Sequence, residues 1–438
     1  MDKLGHTVVI GGSIAGLIAA RVLCDYFERV TILERDAIEN RPVIHKSVPQ
    51  GNHLHGLLNG GQPVLSALYP GFTDDLRGLG AHRVTVGRDV AWYLPDGKAY
   101  SATGSLREPF DVGLEAHCAS RGLIEYGNTA KPGTSGLRIE TGTTVRELIC
   151  RKGRVRGVRC DDGRSLEAEL VVDATGRASR APQWLTAVGV SEPLQTTIGV
   201  DTAYSTANFR VPDWYDGETL IFGPAPTFTR RGYVIRIENE SLLVSLIGRF
   251  GDYPPTDREG FLAFAKGLHS DLAWRIIRDA SCCPSSILRQ RTASLRTGES
   301  SGRGISRDRR RAMHLQSDSR SGNECSGTAS EFAAGGSLRT SIRSSPIGRN
   351  RKCVFFSRAA ELESTPWNLA AGFDFAFPQT RGERPPGIEE RARYFAALDR
   401  LQTEDPEIRR LMTEGFHLIR PLSALLEEPL RNRVRAQM

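Results

Sequence analysis

Gly11, Ser13 and Gly16 are three small residues spaced for close approach of a diphosphate in the stretch "HTVVIGGSIAGLIAARVLCDYFERVTILERD". In a G-x-G-x-x-G turn the first glycine permits the sharp bend, the second lets the phosphates approach the backbone, and the third lets helix pack on strand. Serine at the second place departs from that pattern, but it is small, and Gly12 beside it supplies backbone freedom. Ala15 completes the run of small residues. Glu34, eighteen positions after Gly16, stands where a carboxylate accepts hydrogen bonds from ribose hydroxyls, with Arg35 next to it. The chemistry implied is dinucleotide binding, with a purely structural α/β turn as the alternative.

Such a turn needs a strand before it and a helix after it. Thr7–Ile10 is an apolar run, Ile14, Leu17, Ile18, Val22 and Leu23 recur at helical spacing, and "RVTILE" reads as a second strand. Phosphates would then lie against a helix N-terminus, where free N–H groups and the helix dipole favour negative charge. The motif alone does not choose between FAD and NAD.

Three further stretches carry polar candidates. "VPQGNHLHGLLNGG" is too rich in glycine and histidine for a plain crossover helix at its start. Its His53 and His55 lack a third ligand nearby, so no metal is expected. "CASRGLIEY" places Arg121 ahead of an apolar helical stretch, where it is either a site residue or a surface arginine at a helix start. "LVVDATGRASRAPQWL" is a buried strand ending in Asp173 and Gly176, with Arg177 and Arg180 beyond. Asp173 also suits a local turn cap.

The chain has 438 residues, 39% of them hydrophobic and 25% charged, which is ordinary for a globular protein of two or three domains. Of the net charge of +7, +6 lies in Thr297–Lys352, with eleven Lys/Arg against five Asp/Glu. The remainder is close to neutral, which removes the electrostatic argument for a nucleic-acid partner. Eight cysteines without a CxxC pair give neither a disulfide framework nor a zinc spacing, and imply a reducing, cytoplasmic setting. Val8–Leu23 is apolar but interrupted by three glycines and lacks a basic leader, so no integral membrane segment is expected.

Thr297–Lys352 is different in kind. Its 56 residues hold twelve Ser and eight Gly against five Leu/Ile/Val and one Phe, too little apolar surface to offset chain entropy. It reads as a linker with nothing in Arg309–Cys325 to build a strand, or as residues translated from the wrong frame.

Taken together and in this order, the glycine turn, the His-rich loop, Arg121 and the Asp173 turn resemble the FAD-dependent aromatic-hydroxylase superfamily (p-hydroxybenzoate hydroxylase-like), and within it the branch that includes the polyether epoxidases. The resemblance covers about residues 5–295, including "GDYPPTDREGFLAFAKGL", and resumes over about 354–430 with "FFSRAAELESTPWNLAAGFDFAFP" and "RPPG". It implies that Gly11, Gly12, Ser13, Ala15 and Gly16 hold the FAD pyrophosphate and that Glu34 with Arg35 holds the adenosine end. Arg121 would reach the cofactor from the substrate-domain side, and the Val145 backbone would meet the adenine. Asp173 and Gly176 match a turn near the FAD phosphates that hydroxylases tie to NADPH handling.

The family's second flavin element, a strand ending in Gly-Asp followed by P-x-x-G-Q-G-M, is missing, and Thr297–Lys352 stands in its place. Codons chosen from those permitted for Asp308–Cys325, read one nucleotide later, give "IGDAQCICSPIPGQGMSV", which contains both parts at the family's spacing. Met313-His314 forces the cysteine, and Asn323-Glu324 allows only methionine or threonine at the motif's end. A chain lacking that element is expected to lose one sheet member and a wall against the flavin, and as written it is expected to bind FAD weakly or to be inactive.

The expected fold class is α/β, a doubly wound Rossmann-like FAD-binding domain with an inserted antiparallel-sheet substrate domain and a helical C-terminal tail. The pieces are 1–85, 112–185 and 280–353 for FAD, 86–111 and 186–279 for substrate, and 354–438 for the tail, punctuated by Pro366 and Pro385-Pro386. The resemblance implies a monooxygenase, in which NAD(P)H reduces FAD, O2 adds to the reduced flavin, and the C4a-hydroperoxide delivers oxygen to a hydrophobic small molecule. It names no catalytic acid or base. The alternatives are an FAD-dependent reductase of prenyl-type double bonds, and a pseudoenzyme or binding module.

Overall fold

The apolar runs of the N-terminal stretch do form a parallel sheet buried on both faces. The computed structural model describes residues 3–46, 48–93, 99–100, 114–129, 135–176, 179–190, 194–223, 228–281, 287–292, 295–299, 312–314 and 351–438. β1 (Leu4–Ile10) is central, flanked by β2 (Phe27–Leu33) and then Leu137–Glu140 on one side and by Leu170–Asp173 and then Ala312–His314 on the other, all parallel. Successive residues of β1 serve opposite layers. Val9 packs with Leu17, Ile18 and Leu23 of α1 (Ile14–Leu23), whereas Val8 and Ile10 pack with Val145, Val158 and Trp184.

One expectation fails here. Ala312–His314 lies within the stretch read as unable to build a strand, yet it pairs with Leu170–Asp173 in the register Val171↔Ala312, Val172↔Met313, Asp173↔His314. The sheet therefore does not lack this edge member. An edge strand is held by main-chain N–H and C=O groups, which every residue but proline offers, so three residues of poor β propensity suffice. Residues 300–311 and 315–350, which hold most of the stretch read as frame-shifted, lie outside the described residues.

Among the described residues the second sheet has seven strands, in the order Leu288–Thr292, Thr202–Arg210, Ser241–Arg249, Arg231–Ile237, Thr219–Phe222, Val90–Tyr93 and Ala99–Tyr100. All its pairings are antiparallel except Thr219–Phe222 with Val90–Tyr93. The turn expected at Glu238–Glu240 joins two of its strands, with Asn239 and Glu240 both at positive φ. One face is covered by the helices Arg258–Lys266 and Leu272–Asp279 through Phe261, Phe264, Ile276 and Ile277. The other presents Tyr204, Tyr233, Ile235 and Ile247, against which Leu54 packs. The range 280–353, expected with the nucleotide-binding piece, is thus divided: Leu288–Thr292 belongs to the seven-stranded sheet, and Leu295–Glu299 pairs with Leu194–Ile198.

The tail is helical, with Arg351–Phe375, Ile388–Leu401, Pro406–Phe416 and Leu430–Arg435. Pro366 lies inside the first of these rather than ending it. It removes one i→i−4 hydrogen bond, which a 25-residue helix tolerates. Pro385 and Pro386 do mark a boundary, preceding Gly387, the N-cap of Ile388–Leu401, at φ +71°. Among the described residues no helix is long and apolar enough to cross a membrane.

Candidate nucleotide-binding site

The glycine turn lies at the C-terminal end of β1, where the chain leaves for β2 on one side while Leu170–Asp173 occupies the other. This crevice is where doubly wound sheets bind ligands. Gly11 has φ +101°, and a Cβ there would stand 2.8 Å from the Ala174 carbonyl oxygen. At Gly16 a Cβ would stand 1.9 Å from the Gly11 carbonyl oxygen. Both positions are closed to any side chain, so the turn and the first turn of α1 are clasped against each other and against the Asp173–Thr175 bend. Ala15 is half-buried on the same turn.

Glu34 is buried at the end of β2 and faces the turn. Its Oε2 accepts from the Gly12 N–H at 2.6 Å and its Oε1 from the Asp36 N–H at 2.8 Å. A carboxylate has about four lone-pair sites, so each oxygen keeps capacity for a further donor such as a ribose hydroxyl. Arg35 beside it is exposed. Thr143 donates its N–H to the Glu34 carbonyl at 2.9 Å, which ties the start of Val145–Arg151 to this corner. The Val145 side chain itself points into the core beneath β1 and β2.

Ser13 caps no amide of α1. Its hydroxyl donates instead to Glu125 Oε1 at 2.5 Å and accepts from Arg121 Nη2 at 3.1 Å. Arg121 Nε donates to the same Glu125 oxygen at 2.8 Å. His45 Nε2 lies 3.5 Å from Glu125 Oε2. Arg121 and Glu125 are four residues apart on the helix Arg121–Thr129, whose start is fixed by Ser120: its carbonyl accepts from the Ile124 N–H and its Oγ from the Leu123 N–H. Both charged side chains are almost fully buried, which excludes the surface reading of Arg121. Sequence reasoning missed Glu125 and His45. The i,i+4 spacing from Arg121 was a usable signal for Glu125, whereas nothing in the local sequence marks His45.

Asp173 is a turn cap as well as a neighbour of the glycine turn. Its Oδ1 accepts from the Thr175 N–H at 2.9 Å and the Thr175 hydroxyl at 2.5 Å, and its Oδ2 from the Ser179 hydroxyl at 2.7 Å. Gly176 follows at φ +59° with open space on its side-chain side. Arg177 lies outside the described residues. Of the histidine pair, His53 is buried, with Nδ1 2.8 Å from Thr206 Oγ1 and its ring 5.7 Å from Tyr204, and His55 Nδ1 lies 3.0 Å from the His53 carbonyl oxygen. His53 is therefore tied to the seven-stranded sheet through Thr206 and Tyr204, and His55 to His53.

No protein-family model matches the chain. The chain is 33% identical over 235 residues to Protein Rv3254 of Mycobacterium tuberculosis, which is 50% of this chain and 48% of that protein. It spans about half the length of the curated relatives it matches. Among solved structures, a flavoprotein/dehydrogenase from Cytophaga hutchinsonii superposes with a TM-score of 0.64 at 14% identity, over 98% of both chains. CmlS, a flavin-dependent halogenase, gives 0.60 at 17% identity, over 100% of this chain and 77% of that one. The oxygenase of 2-methyl-3-hydroxypyridine-5-carboxylic acid gives 0.56 at 17%, over 90% and 97%. The chain shares the fold of this flavoprotein/dehydrogenase, this flavin-dependent halogenase and this oxygenase, and in it a doubly wound parallel sheet accompanies a largely antiparallel one.

Proposed function

We propose that the chain is an FAD-dependent monooxygenase that uses NAD(P)H and O2 on a hydrophobic small molecule. The observation that carries this reading is the convergence of Gly11–Gly16, Glu34 and the Arg121–Ser13 contact at the switch point of the sheet, in a fold shared with flavin-dependent enzymes. Gly11, Gly12, Ser13, Ala15 and Gly16 would hold the diphosphate, with the N-terminus of α1 and Arg121 supplying positive potential. Glu34, with Arg35, would hold the adenosine end beside Val145, and the Asp173–Gly176 turn would close the other side. The flavin, when bound, supplies the redox chemistry and the activation of O2. The protein's part is to orient it and to keep the reaction space dry, for which the apolar face of Tyr204, Tyr233, Ile235 and Ile247 is suited.

In domain terms, 1–85 and 112–185 form the FAD-binding piece, with Ala312–His314 as its edge strand. Residues 86–111 and 186–299 form the substrate piece, and 354–438 the tail. The sequence of 297–352 favours a second reading for the polypeptide as written, that of a flavin-poor, inactive relative.

The test compares this chain with one carrying the alternate-frame reading of Asp308–Cys325 and its flanks. The visible spectrum reports bound flavin, and an oxygen electrode reports uptake on adding NADH or NADPH. Flavin and NAD(P)H-dependent O2 uptake in the restored chain alone are expected. Flavin in neither chain would overturn the monooxygenase reading, and stoichiometric flavin in the chain as written would overturn the frame reading.

A further inference from the structure

We infer that Glu125 is a positioning residue for the diphosphate site, and that Ser13 replaces glycine in the turn because its hydroxyl is the link through which Glu125 acts. This rests on the flavin reading above. Three contacts close a ring: Ser13 Oγ donates to Glu125 Oε1, Arg121 Nε donates to the same oxygen, and Arg121 Nη2 donates to Ser13 Oγ. A serine hydroxyl has one proton to give and lone pairs to accept with, and both functions are used here. The two charges are 5% and 4% exposed, so the pair is shielded from solvent, its attraction is strong, and it is costly to break.

The ring has a definite mechanical consequence. Ser13 is the N-cap of α1, so fixing its side chain fixes the first residue of the anion-binding helix end. Glycine in its place would satisfy the turn but leave the Arg121 guanidinium without this contact to the loop. Glu125 Oε2, turned away from the ring, faces His45 Nε2, and the loop carrying His45 lies against the same helix, where a Cβ on Gly122 would stand 3.0 Å from the Val43 carbonyl carbon. The carboxylate thus has His45 behind it while it orients Arg121 and Ser13 in front. Its negative charge opposes an anion and only partly offsets Arg121, so what it adds to diphosphate binding is the placing of Arg121 and Ser13 rather than potential.

Glu125→Gln, Ser13→Ala and the double variant are compared with the parent by flavin-fluorescence quenching on FAD addition, and by amide hydrogen exchange of the FAD-free proteins. Each single variant is expected to weaken FAD about 10-fold, and the double variant no more than the weaker-binding single, because all three break one ring. Exchange is expected to quicken across Gly11–Gly16 and to stay unchanged in Leu272–Asp279. Additive losses would overturn the inference. So would unchanged affinity, or tighter binding by Glu125→Gln, which would make Glu125 a competitor for Arg121. If the parent binds no FAD, the same variants are compared in the chain carrying the alternate-frame reading, and if that chain binds none either, the cofactor reading falls and exchange decides. Faster exchange confined to Gly11–Gly16 then sustains the positioning role, and unchanged exchange removes it.

Discussion

Gly16 carries the strictest demand in the candidate site, since even a methyl group would overlap the Gly11 carbonyl oxygen at 1.9 Å. Gly16→Ala is expected to force α1 away from the turn, lowering stability by about 1–3 kcal/mol and removing FAD binding. A urea unfolding midpoint and a flavin titration check the two effects separately. Glu34→Gln keeps the shape but withdraws charge from the bonds to the Gly12 and Asp36 amides. FAD affinity should fall about 10-fold, or about 1.4 kcal/mol, in the same titration. At this scale the sequence was legible where a residue type has one reason to be present, as with the glycines and Glu34. It was ambiguous at Asp173, where turn capping and site formation use the same carboxylate. It was silent on His45, whose role arises from a loop folding back onto a helix far along the chain.

Between elements, the least expected feature is the wholly buried pair of Arg249, on the strand Ser241–Arg249, and Asp374, on the helix Arg351–Phe375, 3.0 Å apart. The guanidinium also lies 4.8 Å from the Phe377 ring centroid. This pair clamps the first helix of the tail to the second sheet. Removing one partner strands a buried charge, so Arg249→Met or Asp374→Leu alone is expected to cost about 3–5 kcal/mol, and the double variant to recover most of it. Urea unfolding of the three proteins tests this. Burial pushes the Asp374 carboxyl up to about 6, against the opposing pull of Arg249 and, more weakly, Arg231. The folded chain therefore keeps a proton that the unfolded chain releases near pH 4. This contribution to stability is full below that pH and is lost as pH rises through about 6. Relative to Asp374→Asn, the parent should lose stability between pH 4 and pH 7, read from unfolding midpoints across that range.

For the molecule as a whole, cofactor binding and folding are linked, because FAD that binds only the folded state stabilises it by about 2.7 kcal/mol at a hundredfold excess over Kd. Thermal unfolding with and without FAD should show a larger upward shift in the restored chain than in the chain as written. An equal shift in both would mean that 308–325 contributes nothing to the site. The sequence by itself determined the local units: the strand–turn–helix–strand start, the hairpin at Glu238–Glu240 and the helical tail. Each is set by periodicity, glycine placement and turn chemistry within a few residues. Only the tertiary structure decided that Ala312–His314 completes the parallel sheet, that Leu288–Thr292 joins the second sheet, that Pro366 sits inside a helix, and that Glu125, Ser13, Arg121 and His45 meet. The sheet pairings and the meeting of Ser13 with Arg121 and Glu125 depend on which backbone edges and buried charges find partners across long sequence separations, and no local pattern encodes that choice.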